Sequence, residues 1–331
     1  MTDESPRLSG ILSVLCTPFD EHGGIDEESL ISLIDHQLRW EVDGLVIFGL
    51  AGELYKLTDD DRRRVLTAVA ARVGGAVPLI VGTEHSGTEG AIERSRIAER
   101  SGASALMLYP PTFVKPDAAG IVDYFVAVGE SVSLPIIIQD APQWTGIPLP
   151  VDLLLTIAAA APNVSWVKVE APPAAQKIRD LRAHGLGVIG GFGALHLIED
   201  LQAGVQAVMP GCALPGLYHD LWSAHRRGLY EQLWVDFTRA LPLLSYQMSS
   251  LDTFVAVQKY LLYKSGVLRS PTMRRPVGQL GPDFSRWVEE LVVRADVGRY
   301  LEPRGGGVHE RARPPGGKTG RLECQGEKYT R

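Results

Sequence analysis

The chain has 331 residues, 45 % hydrophobic and 22 % charged, with a formal net charge of -6, a globular composition long enough for one large or two smaller domains and a sizeable core. With a pI near 5.8 it carries no basic footprint for nucleic acid or for an anionic membrane surface. The distant cysteines Cys16, Cys212 and Cys324 make neither a metal spacing nor a disulfide framework, and no apolar run reaches about 18 residues, so the expectation is a cytoplasmic protein with no membrane or nucleic-acid partner.

From Gly10 onward, short β-rich apolar runs alternate with longer amphipathic segments, the pattern of repeated βα units around a parallel sheet. Predicted strands are Ile11 to Thr17, Gly44 to Gly49, Pro78 to Thr83, Ser104 to Tyr109, Pro135 to Gln139, Val164 to Glu170, Gly187 to Gly191 and Ala207 to Pro210. Helical stretches between them include Asp26 to Trp40, Thr58 to Val73, Thr88 to Ser101 and Asp117 to Val132, several opened by Asp or Thr caps. Eight such units in roughly 200 residues predict a (β/α)8 TIM barrel over 8–216, since no phosphate-binding first turn supports an open doubly wound sheet. Three helical segments follow, Leu217 to Gln247, Thr253 to Lys264 and Asp283 to Ala295, as a C-terminal appendage over 217–298. Residues 302–331 are rich in Gly, Pro, Arg and Lys and predict a disordered tail.

Three short motifs carry no function. Gly185-Leu186-Gly187-Val188-Ile189-Gly190 enters a strand instead of following one, so it fails the context of a dinucleotide fingerprint. Gly316-Gly317-Lys318-Thr319 lacks both the first P-loop glycine, replaced by Ala312, and a preceding strand. Asn163-Val164-Ser165 fits a glycosylation acceptor but sits at a strand start.

Barrel chemistry sits at the C-terminal ends of strands, and the sixth strand is the unusual one. In Val164-Ser165-Trp166-Val167-Lys168-Val169-Glu170, alternation puts Lys168 and Glu170 on one face of a run apolar enough to be buried. Lysine is rarely buried without a reason. Apolar walls favour its neutral amine, the form that attacks a carbonyl, so covalent chemistry is one reason and a structural ion pair with Glu170 the other.

Together with Thr17-Pro18-Phe19, the turn Gly49-x-x-Gly52-Glu53 and the pair Gly190-Gly191, this lysine makes residues 8–295 resemble the dihydrodipicolinate synthase and N-acetylneuraminate lyase superfamily. The resemblance implies that Lys168 forms a Schiff base with the 2-oxo group of pyruvate or a related 2-oxo acid, with neither metal nor cofactor, in a homodimer or homotetramer.

The departures from that pattern redirect the expected reaction. Hydroxyl residues in the turn are replaced by Leu50 and Ala51, the proton-relay tyrosine by Gln139, the second relay tyrosine by Phe113, and the arginine that holds the synthase's second substrate by Trp144. Gln cannot act as a general acid or base. A Lys-x-Glu pair followed by Ala171-Pro172-Pro173, with Gln139-Asp140-Ala141-Pro142, resembles the family's dehydratase branch, which acts on 2-keto-3-deoxy sugar acids. Lys168 and Glu170 are therefore the expected catalytic residues. The expected reaction is dehydration of such an acid, for example 2-keto-3-deoxy-L-arabonate to 2-oxoglutarate semialdehyde. Leu50 and Ala51 would form the carboxylate end of the pocket, with Thr17, His85, Gln139, Trp144 and Gly191 for hydroxyls and walls, while Glu53 would fix its turn. The alternatives are a pyruvate-dependent aldolase and a non-catalytic 2-oxo acid binding protein on the same fold.

Overall fold

The computed structural model of the protein describes residues 8–302. The expected disordered tail, but for Glu302, and Cys324 lie outside those residues. Eight parallel strands close in chain order into one barrel: β1 (Gly10–Val14), β2 (Gly44–Ile47), β3 (Leu79–Gly82), β4 (Ala105–Leu108), β5 (Ile136–Asp140), β6 (Val164–Val169), β7 (Gly187–Gly190) and β8 (Ala207–Val208), with β8 pairing back onto β1. This is the TIM barrel that the alternation predicts. Most strands end one to three residues earlier than the apolar runs do, because Leu15, Cys16 and Thr17, for example, leave the ladder to build the C-terminal rim.

Alternation along the strands divides the core in two. Inward residues such as Leu12, Val14, Val46, Ile80, Met107, Ile137, Ile189 and Met209 fill the barrel, with Trp166 packed beside them. Outward residues such as Leu45, Val81, Leu106, Ile138, Val167 and Val188 pack on the surrounding helices. Helix starts follow the sequence signals. Thr58 and Asp61 form a reciprocal capping box at Asp59–Val73, and the acidic triplet Asp59, Asp60, Asp61 occupies its first turn, where acids complement the helix dipole.

The expected single helix Leu217 to Gln247 is two. Pro215–Arg226 is the barrel's eighth helix, packed on β1, and Tyr230–Gln247 begins the appendage after a break around Gly228, whose φ is +69°. The eighth helix therefore spans the expected domain boundary at 216. Where β1 and β8 close, the buried thiols of Cys16 and Cys212 are free and adjacent, the Cys16 N–H donating to Cys212 Sγ at 3.4 Å. Among the described residues no helix is long and apolar enough to cross a membrane.

Candidate active site

Lys168 and Gln139 are register partners on β6 and β5, both facing the barrel interior near its C-terminal end. Glu170 lies just past β6, and its N–H donates to the Asp140 carbonyl at 2.9 Å, extending the β5–β6 pairing by one step. Its side chain turns back so that Oε1 stands 3.2 Å from Lys168 Nζ, with both side chains buried. Two neutral donors hold the carboxylate: Gln139 Nε2 reaches Oε2 at 2.7 Å and the Phe192 N–H reaches Oε1 at 2.8 Å. Gln143 anchors the Glu170 carbonyl at 2.8 Å.

The donor from Phe192 comes from an unusual backbone. Phe192, Gly193 and Ala194 have φ of 52°, 60° and 61°, a left-handed conformation that is costly for residues with a Cβ and that clusters at functional sites. This turn follows β7 and aims an amide at Glu170. Gly191 precedes it, and a Cβ there would lie 2.4 Å from Glu170 Cγ. The glycine thus makes room for the carboxylate. Behind Glu170, Asp140 contacts Lys177, and its own carboxyl is pushed up by burial against the opposing pull of that ammonium.

A cavity opens over these groups, lined by Lys168, Glu170, Gln139, Leu50, Ala51 and Trp144. Leu50 and Ala51 begin the short turn Leu50–Gly52, whose internal hydrogen bonds come from the N–H groups of Gly52 and Glu53. The N–H groups of Leu50 and Ala51, as the first of a helical turn, have no acceptor within it.

The structure does not bring every expected residue to this cavity. Thr17 is buried beneath the turn, where its hydroxyl donates to the Gly52 carbonyl at 2.7 Å. His85 is exposed and lines other clefts with Arg94, its Nδ1 3.0 Å from the Gly87 N. Phe113 is 87 % exposed on the loop after β4. Glu53 holds the turn from below: it is fully buried, with Lys259 Nζ at 2.5 Å, Lys56 Nζ at 3.0 Å and the Arg274 N–H at 3.1 Å.

Sequence reasoning missed the roof. Met248, Leu251 and Phe254, from the end of Tyr230–Gln247 and the start of Leu251–Lys264, line the same cavity. The appendage is part of the site. On the helix Leu251–Lys264, Lys259 is fully buried and meets the anionic partner that such a lysine needs in Glu53; its ammonium also donates to the Thr272 carbonyl at 2.8 Å and lies 4.2 Å from the Phe19 ring centroid. Among the described residues no group of three or more His, Cys, Asp or Glu converges as a metal site.

Known proteins can be set beside this geometry. A model of the dihydrodipicolinate synthetase family matches residues 7–294. The chain is 32 % identical to an L-2-keto-3-deoxyarabonate dehydratase of Azospirillum brasilense over 310 residues, covering 89 % of this chain and 99 % of that one. It is also 32 % identical to a 4-hydroxy-tetrahydrodipicolinate synthase of Xylella fastidiosa over 274 residues, covering 80 % and 89 %. A dihydrodipicolinate synthase structure from Rhodopseudomonas palustris superposes with a TM-score of 0.82 at 25 % identity, covering 88 % of this chain and 98 % of that one. The chain belongs to the dihydrodipicolinate synthetase family, a family of lyases.

Proposed function

We propose that this protein dehydrates a 2-keto-3-deoxy sugar acid through a Schiff base on Lys168, with Glu170 as the acid-base group. The observation that carries the reading is the placement of Glu170, 3.2 Å from Lys168 Nζ and held by Gln139 and the Phe192 N–H, where Gln139 cannot itself move protons. Its 32 % identity to a keto-deoxyarabonate dehydratase over nearly the whole of that protein supports it. The equal identity to a synthase does not weigh against it, because Gln139, Leu50 and Ala51 supply none of the side-chain hydroxyls expected of that chemistry.

In this mechanism Lys168 condenses with C2: two of its ammonium protons leave with the oxo oxygen as water and the third stays on the iminium nitrogen. Glu170 then takes a C3 proton to give the enamine. Departure of the C4 hydroxyl, protonated by Glu170, leaves a C3=C4 double bond conjugated to the iminium. For a substrate with a C5 hydroxyl, moving the C5 proton and the hydroxyl proton to C4 and C3 turns C5 into an aldehyde. Hydrolysis of the iminium frees the semialdehyde and Lys168. The N–H groups of Leu50 and Ala51 receive the substrate carboxylate.

Borohydride reduction in the presence of substrate is expected to add the ligand mass at Lys168, and product analysis of 2-keto-3-deoxypentonate to show a semialdehyde. Pyruvate release would select the aldolase reading instead. Absence of any lysine adduct and of any product would leave only the binding-protein reading.

A further inference from the structure

Beyond its reactive groups the cavity is walled by hydrocarbon and thioether side chains: Met209 and Pro210 from the rim, and Met248, Leu251 and Phe254 from the roof. Its polar side chains sit at one end. Lys168 and Glu170 serve C2 to C4, and the Gln139 amide is committed to Glu170. The hydroxyl of Thr17 is spent on Gly52, and His85 lies in other clefts. The indole of Trp144, whose ring centroid lies 6.4 Å from that of Phe192, offers a single N–H.

We infer that side-chain recognition stops at C4, and that the enzyme also dehydrates 4-hydroxy-2-oxo acids with a short apolar tail, the simplest being 4-hydroxy-2-oxopentanoate. The inference rests on the Lys168–Glu170 chemistry proposed above and extends its substrate class. The atoms balance without any co-reactant. The amine of Lys168 displaces the oxo oxygen as water, Glu170 removes a C3 proton, and the C4 oxygen leaves with that proton as water. Hydrolysis returns the C2 oxygen, so the net change is loss of one water to give 2-oxopent-3-enoate. With no C5 hydroxyl, the product stays a conjugated enone.

Magnitudes separate this from a site built for a polyhydroxylated chain. A pocket that hydrogen-bonds a substrate hydroxyl rejects the analogue lacking it by roughly 10⁴-fold or more, whereas an apolar pocket discriminates weakly. One neutral hydrogen bond, such as the indole could offer, is worth about tenfold. A charged end is different, because the roof provides no cation to receive it.

The test compares kcat/KM for 2-keto-3-deoxypentonate, 4-hydroxy-2-oxopentanoate and 4-hydroxy-2-oxoglutarate on the full chain, following enone absorbance and product mass. Expected is enone from the pentanoate within about tenfold of the pentonate rate, and a loss of about a thousandfold with the glutarate. A larger deficit for the pentanoate while the pentonate is dehydrated overturns the inference and leaves the proposed function standing. Pyruvate with acetaldehyde from the pentanoate, or a glutarate rate near the others, overturns it as well. Turnover of the pentanoate alone supports it and removes the sugar-acid reading, and dehydration of none of them removes both.

Discussion

Glu170→Gln separates covalent capture of substrate from the proton transfers that follow. The replacement keeps the shape of the side chain and can keep its anchors. With the amide oxygen at the Oε1 position it still accepts from the Phe192 N–H, now 2.8 Å from Oε1, and its NH₂ meets Gln139, whose own amide can turn to present oxygen across the present 2.7 Å contact. The pocket should therefore survive, and Lys168 with it. What is lost is a group that accepts and returns protons at C3 and at the leaving oxygen. General acid-base groups contribute about 10²- to 10⁴-fold, or about 3–5 kcal/mol of barrier. Steady-state kinetics on 2-keto-3-deoxypentonate should show kcat reduced by that factor with KM little changed, while borohydride still traps the substrate on Lys168 by intact-protein mass. Wild-type turnover in Glu170→Gln would refute the assignment, and loss of trapping would show that Glu170 acts before the imine forms.

Gly191→Ala tests the same carboxylate from behind: a Cβ 2.4 Å from Glu170 Cγ displaces it, so kcat should fall about tenfold or more with trapping retained, as a misplaced catalytic group predicts. Lys259→Met leaves Glu53 buried without its closest cation, 2.5 Å away, and should cost about 3–5 kcal/mol in denaturant unfolding; a loss under about 1 kcal/mol would mean that Lys56 and the Arg274 N–H compensate. Asp200, 2 % exposed with Oδ1 unpartnered, has its carboxyl pushed up to about 8 chiefly by burial, and Glu84 is pushed up to about 7 for the same first reason. Native Asp200 keeps its proton where the unfolded chain has released it, so the stability this provides is complete below about pH 4 and is lost as pH rises toward 8. Melting temperature should fall across that window, and Asp200→Asn should flatten the fall. An unchanged slope in the variant would show that Asp200 ionises freely in the native protein.

The barrel was legible because its signals are local. Eight apolar runs bounded by caps and turn residues specify strands whichever helices cover them, and the alternation of Trp166, Lys168 and Glu170 already shows which face the charges share. The placement of Gln139 beside Lys168 depends on register between β5 and β6, which includes a shift at Ile136 and Ile137, and only the family resemblance suggested it. Thr17 and His85 show the limit. Both stand at strand ends, where barrel function concentrates, yet the hydroxyl of one is consumed by the Gly52 carbonyl and the ring of the other turns to Gly87. The roof residues Met248, Leu251 and Phe254 read as ordinary apolar positions, because nothing in a helical period states which surface a helix will cover.

The cavity consequently has two walls that answer to different parts of the chain. The reactive wall is built by β5 and the short helix Pro142–Thr145 after it, by β6 and by the left-handed turn after β7, which together supply the hydrogen bonds to Glu170. The facing wall is the turn Leu50–Gly52 together with the roof, which the Glu53–Lys259 pair locks to one another across a sequence separation of 206. Phe19 reinforces that lock, with the Lys259 ammonium 4.2 Å and the Arg274 guanidinium 4.5 Å from its ring centroid. Substitutions around Glu170 should move kcat at constant stability, whereas those in the Glu53–Lys259 lock should move stability and KM together, since loosening it shifts the Leu50–Gly52 turn, proposed above to receive the substrate carboxylate, together with the apolar roof.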